Sequence, residues 1–268
     1  MPRWACGVSY LGTQFHGWQK QPALANTVEQ VVQHALSSVA DHSIDLVCAG
    51  RTDAGVHALD QVIHFDSDAN RSPDNWLLGV NGLLPESVKL QWVQPVDATF
   101  DARYAAIRRR YAYVIYNAEV SHPLWTNRAV WLPRRLAHVG AMQTAAQAWL
   151  GEHDFSSFRD RDCQARHPVR TITEFSLVRQ GHFCVFYCEG NAFLHHMVRN
   201  MMGVLIEIGL GRQPVEWAAE VLAARSRSAA AMTAPPEGLY LAKVYYDAPW
   251  HTQLPAVQNF MAAFTGGR

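Results

Sequence analysis

The order in which apolar residues change their period leaves this chain few folds. WACGVSY (4–10) alternates and reads as a strand. NTVEQVVQHALSSVA (26–40) sets Val28, Val31, Val32, Ala35, Leu36 and Val39 on one helical face, and Thr27 with Gln30 has the form of a capping box. IDLVCA (44–49) and QVIHF (61–65) are β-prone runs. NWLLGVNGLL (75–84) is helix-like and stops at Pro85, and VKLQWVQPV (88–96) alternates again. The order β-α-β-β-α-β is the split βαβ, or ferredoxin-like, arrangement.

The rest of the chain repeats the theme loosely. RRRYAYVIYNA (108–118) reads as a strand with alternating aromatics, and a helix is expected over about 136–150. A polar, arginine-rich loop covers 156–170, and TITEFSLVRQGHFCVFYCEG (171–190) reads as a hairpin turning at Gln180–Gly181. AFLHHMVRNMMGVLIEIGLG (192–211) is a helix closed by Gly209 and Gly211, and a further helix at about 214–225 starts with Pro214. GLYLAKVYY (238–246) is a last strand. The expected fold class is therefore mixed α/β (α+β), with pseudo-duplicated ferredoxin-like or RRM-like halves, each an antiparallel sheet flanked by helices. FDAR (100–103) is the natural seam, giving an N-terminal half over 1–101 and a C-terminal half over 102–268.

Composition excludes several classes. Apolar residues are 49% of the 268 and charged ones 17%, which suits a large buried core and not disorder. The longest apolar candidate, MMGVLIEIGLG (201–211), is interrupted by Glu207 and is too short to span a bilayer, and the first residues hold no apolar run fit for a signal peptide. A soluble, cytoplasmic protein is expected. The five cysteines are an odd number without CxxC, which suits buried reduced thiols, and the 13 histidines lack HExxH spacing, so no metal is expected.

Charge is unevenly spread. Residues 1–102 carry 5 Lys/Arg against 11 Asp/Glu, and residues 103–268 carry 18 against 12. Arginine outnumbers lysine 20 to 3, and arginine is the residue that forks onto phosphate and stacks on bases. The window 103–135 holds seven arginines, including Arg108, Arg109 and Arg110, opposed only by Glu119. A solvated basic face and a nucleic-acid surface both fit this pattern.

The strongest local signal is AGRTDAGVHALDQVIHF (49–65), which sets Arg51 and Asp53 between Gly50 and Gly55, with β-prone runs on either side. Asp53 has three readings: a turn residue, an ion-pair partner of Arg51, or a catalytic carboxylate. A neighbouring cation keeps a carboxylate ionised, and two strands feeding a short loop hold it rigidly.

AGRTDAGVHA (49–58) resembles the signature loop of the TruA family of tRNA pseudouridine synthases. YLGTQFHGWQKQP (10–22), LGVNGLLP (78–85), FDARYAA (100–106), RRYAYVIYN (109–117), NAFLHHMVRNMMG (191–203) and EGLYLAKVYY (237–246) are similar to further family stretches, in the same order and over nearly the whole chain. Two departures are visible. Leu11 stands where the family commonly has Asp, and LDQV (59–62) lacks the small residue often found before its Gln.

The resemblance implies a pseudouridine synthase fold and the isomerisation of uridine at positions 38, 39 and 40 of the tRNA anticodon arm, by a homodimer without a cofactor. It makes Asp53 the catalytic carboxylate and Tyr111 the residue that stacks on uracil. It gives Arg199 the task of pairing with Asp53, and Arg51 that of helping extrude the base. An arginine on an apolar helix, as Arg199 is, independently needs a partner or an exit to solvent. Arg108, Arg109 and Arg110, with some of Arg159, Arg161, Arg166 and Arg170, are candidates for tRNA backbone contacts. His195 and His196 are left as structural or loosely RNA-facing. Two other readings stand beside this one. A non-catalytic RRM-like RNA-binding protein would bind without turnover. A glycoside hydrolase would need Asp60 as its second carboxylate.

Overall fold

The computed structural model describes residues 1–21 and 26–255; Pro22, at the end of the expected first loop, and everything in the expected C-terminal half after residue 255 lie outside the described residues. The elements run β1 (Arg3–Tyr10), α1 (Val28–Ala40), β2 (Leu46–Cys48), β3 (His57–Asp66), α2 (Pro73–Leu83), β4 (Val88–Val96) and β5 (Ala106–Asn117). There follow β6 (Val130–Leu132), α3 (Val139–Ala146), β7 (Gly151–Asp154), β8 (Val169–Gln180) and β9 (Phe183–Gly190). The described chain ends with α4 (Met197–Gly209), α5 (Trp217–Ala224), β10 (Leu239–Tyr246) and α6 (Trp250–Gln253). Among the described residues, no helix is long and apolar enough to cross a membrane.

Contacts divide the described chain into two units, one built on Met1–Arg109 and residues 240–255, the other on Arg110–Leu239. The expected seam at 101/102 and the contact seam at 109/110 thus differ, and β10, expected in the C-terminal half, belongs to the first unit. The reason is its pairing. β10 runs parallel to β3, with Tyr240 opposite His57 and Leu241 opposite Ala58.

In the first unit β1 lies between β4 and β3, antiparallel to both, and β3 carries β2 and β10 along its other edge. The capping box forms as expected. The Thr27 Oγ1 accepts from the Gln30 N–H (3.4 Å), and the Gln30 side chain accepts from the Thr27 N–H (3.1 Å). Val28, Val32, Ala35 and Leu36 of α1 are buried, while Val31 and Val39 sit at the margin. Ser72 caps α2 ahead of Pro73. Trp76 of α2 is fully buried, with its ring 5.1 Å from Phe65 and 6.0 Å from Trp4.

The second unit repeats this pattern. β9 lies between β5 and β8, as β3 lies between β1 and β2, and β7 extends the sheet beyond β8. β8 and β9 form the expected hairpin, closed at Gly181 (φ +55°). β6, which pairs parallel with β5, and β7 were not expected from the sequence. Each is three or four residues long, too short for a period to show. α4 begins at Met197, not near 192, because His196 is left-handed (φ +59°) and interrupts the helical run.

Candidate active site

The two hairpins at matching places in the two units differ in one respect. β8 and β9 meet in a tight turn, whereas β2 and β3 are joined by an opened loop over 49–56. β2 ends at Cys48, opposite Ile63, while β3 already begins at His57. The start of β3 therefore runs beyond its hairpin partner, and the loop fills the space.

Side chains replace the missing strand bonds. The Ala49 N–H still donates to the Val62 carbonyl (2.8 Å). Beyond it, Oε1 of Gln61 accepts from the Gly50 N–H (3.3 Å) and Nε2 of Gln61 donates to the Gly50 carbonyl. Gln61 is fully buried, so this pair of bonds satisfies its amide out of water while tying down the half-buried backbone of Gly50. Arg109 donates to the Ala49 carbonyl (2.8 Å), to the Arg103 carbonyl (2.9 Å) and to the Ala106 carbonyl (3.0 Å). Thr52, also buried, shares a 2.7 Å hydrogen bond with the Tyr10 hydroxyl.

The expected first loop closes over this one. The Trp18 N–H donates to the Thr52 carbonyl (3.0 Å) and the Gly12 N–H to Nδ1 of His57 (2.9 Å). A Cβ on Gly12 would stand 1.9 Å from the Val56 carbonyl oxygen, and one on Gly17 (φ +86°) 2.9 Å from that of Thr52. Both glycines are thus required by the approach of one backbone to another. The Val56 N–H closes a turn on the Asp53 carbonyl (3.1 Å), with Gly55 at φ +79° as the third residue of a type II turn demands.

Asp53 is half-buried between buried Thr52 and exposed Ala54. Its carboxylate rides on a backbone fixed from both sides, which is what a nucleophile or base requires. Arg51 is exposed and makes no hydrogen bond or ion pair among the described residues. The Arg51–Asp53 ion pair, one of the three sequence readings of Asp53, is therefore not formed. Asp60 does not supply a second carboxylate either. It is buried, takes up the Val244 N–H of β10 (3.4 Å), and is pushed by burial up to about 6, against the smaller opposing effects of that N–H and Lys243.

In the second unit Tyr111 lies on β5, 9% exposed, with the Phe193 ring set nearly perpendicular to its own at 4.9 Å between centroids. Arg199 is half-buried on α4 and does not swing out to solvent alone. Its Nε donates to the Ala234 carbonyl (2.9 Å), and the Ala234 N–H returns a bond to the Arg199 carbonyl (3.1 Å). Next to the start of α4, the rings of His195 and His196 stack at 3.9 Å. Asp160 bridges both, at 2.8 Å from Nδ1 of His196 and 3.5 Å from Nδ1 of His195.

The arginine run does not present three equivalent cations. Arg109 faces main-chain carbonyls, as above. Arg108 lies over the Tyr245 ring (4.8 Å), and Arg110 lies over Tyr187 (4.7 Å) while pairing with Glu174 (3.1 Å). Sequence reasoning missed Gln61 and the clamping role of Arg109. A glutamine inside the apolar run ALDQVIHF was the available signal for the first; nothing local distinguished the second.

A sequence model described as tRNA pseudouridine synthase matches residues 7–105 and 145–247. Arg51, Asp53 and Arg199 lie in the matched stretches, and Tyr111 lies between them. A tRNA pseudouridine synthase A of Bordetella petrii is 51% identical over 248 residues, 92% of each chain. That of Bordetella avium is 46% identical over 99% of this chain and 100% of its own. That of Alcanivorax borkumensis is 47% identical over 92% of each.

Proposed function

The chain belongs to the tRNA pseudouridine synthase family, and from that premise we propose that it acts at positions 38, 39 and 40 of the tRNA anticodon arm, with Asp53 as its catalytic carboxylate and no cofactor. It is an isomerase that makes pseudouridine in tRNA. The reaction breaks N1–C1′ of the target uridine, turns the uracil while it is held, and joins C5 to C1′. The C5 proton is lost and N1 gains one, so nothing is oxidised or reduced. That balance is the reason to expect no redox cofactor.

In this reading Asp53 either attacks C1′ or takes the C2′ proton to give a glycal, and both routes need the ionised form. Tyr111 holds the released base on its ring, and its hydroxyl assists loss of the C5 proton. Arg199 pairs with Asp53. Arg51, exposed at the loop tip, occupies the space left by the extruded base, since a stacked nucleotide must leave the helix before its sugar can be reached. The active species is a homodimer in the cytoplasm. The observation that carries the reading is the Asp53 loop, which is held on both flanks by hydrogen bonds from Gln61, Arg109, Tyr10 and Trp18.

Unmodified tRNA transcripts, treated with enzyme and mapped for pseudouridine by chemical adduct and primer extension, test the site choice. Product at 38, 39 or 40, and nowhere else, is expected. Product confined to another arm would overturn the anticodon assignment and leave the family reaction intact.

A further inference from the structure

One cleft in the second unit gathers two of the arginines named as candidates for tRNA backbone contacts, Arg159 and Arg161, with residues that have no role above. It is an open cleft of about 520 Å³ lined by Arg159, Arg161, Arg227, Ser228 and Met232, with small alanines between. Three guanidinium groups line it and no carboxylate does. Two of them are held in place. Arg159 donates to the Cys163 and Ala165 carbonyls (both 2.8 Å). Arg227 donates to the Ala231 carbonyl (2.9 Å), to Thr233 (3.0 Å) and to Oδ1 of fully buried Asn200 (3.1 Å). Arg161 is exposed and makes no bond among the described residues. Fixed cations that share a cleft repel one another, and an anion relieves that repulsion.

The cleft also offers an apolar surface. Met232 is 90% exposed, more than any other large apolar side chain among the described residues. Its outward position follows from its backbone. The Met232 carbonyl is pressed onto α4, where a Cβ on Gly203 would stand 2.1 Å from its oxygen. Thr233 bonds Asn200 (2.7 Å), and Ala234 exchanges two bonds with Arg199. The segment 231–234 is therefore a ledge docked along α4, and Met232 is held toward solvent beside the arginines.

We propose that this cleft is a nucleotide subsite for the RNA substrate, distinct from the place of the isomerised uridine. Arg161 and Arg227 take a backbone phosphate, and Met232 packs against the adjoining ribose or base. The proposal rests on the tRNA reading above, and it adds a set of contacts joined through the Ala234 ledge to Arg199.

The test uses anticodon stem-loop RNAs carrying single neutral methylphosphonate linkages, with binding followed by fluorescence anisotropy across a salt series. For wild type, neutralising one linkage away from the target uridine is expected to weaken binding about five- to ten-fold. Arg161→Ala should bind more weakly, lose its response to that same linkage, and show a log–log salt slope smaller by about one. Met232→Glu should weaken binding, and Met232→Leu should restore it. Both substitutions are at exposed positions, so the fold is retained. Wild-type affinity and salt slope in Arg161→Ala and Met232→Glu, with normal turnover, would overturn the subsite and leave the synthase reading standing. A wild-type protein that isomerises no tRNA would remove the reading itself.

Discussion

Gln61 makes with its side chain the two hydrogen bonds that a strand partner would have made to Gly50. Replacing it with leucine keeps the bulk and leaves the half-buried Gly50 N–H and C=O without these partners, at a cost of at most about 1–3 kcal/mol. Turnover should fall by more than that cost implies for the folded fraction, because the loop bearing Asp53 loses its register. Denaturation and kcat measured on one preparation separate the two effects; a stable Gln61→Leu protein with wild-type kcat would contradict the clamp. Arg109 is a second residue whose role its sequence context disguised. Within a run of three arginines it reads as a phosphate contact, yet its fork lies on three carbonyls, including that of Ala49. Arg109→Ala should lower kcat and leave the salt slope of tRNA binding unchanged. A slope reduced by about one would return Arg109 to the RNA.

Among the elements, those with a long period were legible and those set by pairing were not. α1 was readable to its capping box, and the six elements β1 to β4 with α1 and α2 occur in the order the periodicity implied. β6 and β7 escaped because three or four residues show no period. The start of α4 was misjudged because a positive φ at His196 is a tertiary outcome that no apolar pattern encodes. The membership of β10 escaped because parallel pairing joins residues far apart in sequence, Tyr240 to His57. That pairing has a testable consequence at Asp60, which β10 covers. Its carboxyl, near 3.9 when unfolded, is raised to about 6 by burial. Folding therefore favours the protonated form. The stability this confers is complete below about pH 3.9 and is lost as pH rises through about 6. At pH 7 the ionised group costs on the order of 2–3 kcal/mol, and Asp60→Asn should recover much of it. Urea denaturation should show the variant more stable than wild type at pH 7, with the gap closing toward pH 4. A gap independent of pH would show that burial of the charge is not its origin.

For the molecule as a whole, charge divides along the chain, and the proposed site residues divide with it. The first 102 residues are acidic and carry Asp53, while the remainder is basic and carries Tyr111 and Arg199. A formally neutral chain can then gather RNA on one part of its surface, and a homodimer doubles that surface. Light scattering at micromolar concentration should give twice the monomer mass of 30.0 kDa; a single 30.0 kDa species would count against the dimer. The loop residues 49–58 were recognisable from sequence because they are ten consecutive residues, whereas their supports, Tyr10, Trp18, Gln61 and Arg109, are scattered and join only on folding. The claim on which the whole account depends is that the Asp53 carboxylate performs the chemistry. Release of label from C5-tritiated uridine in an anticodon-arm substrate measures it directly, in wild type and in Asp53→Asn, which removes the charge at nearly constant size. Wild type should release label, and release should fall by several powers of ten in the variant with tRNA binding retained, which corresponds to at least several kcal/mol of barrier. Undiminished release from Asp53→Asn would contradict it.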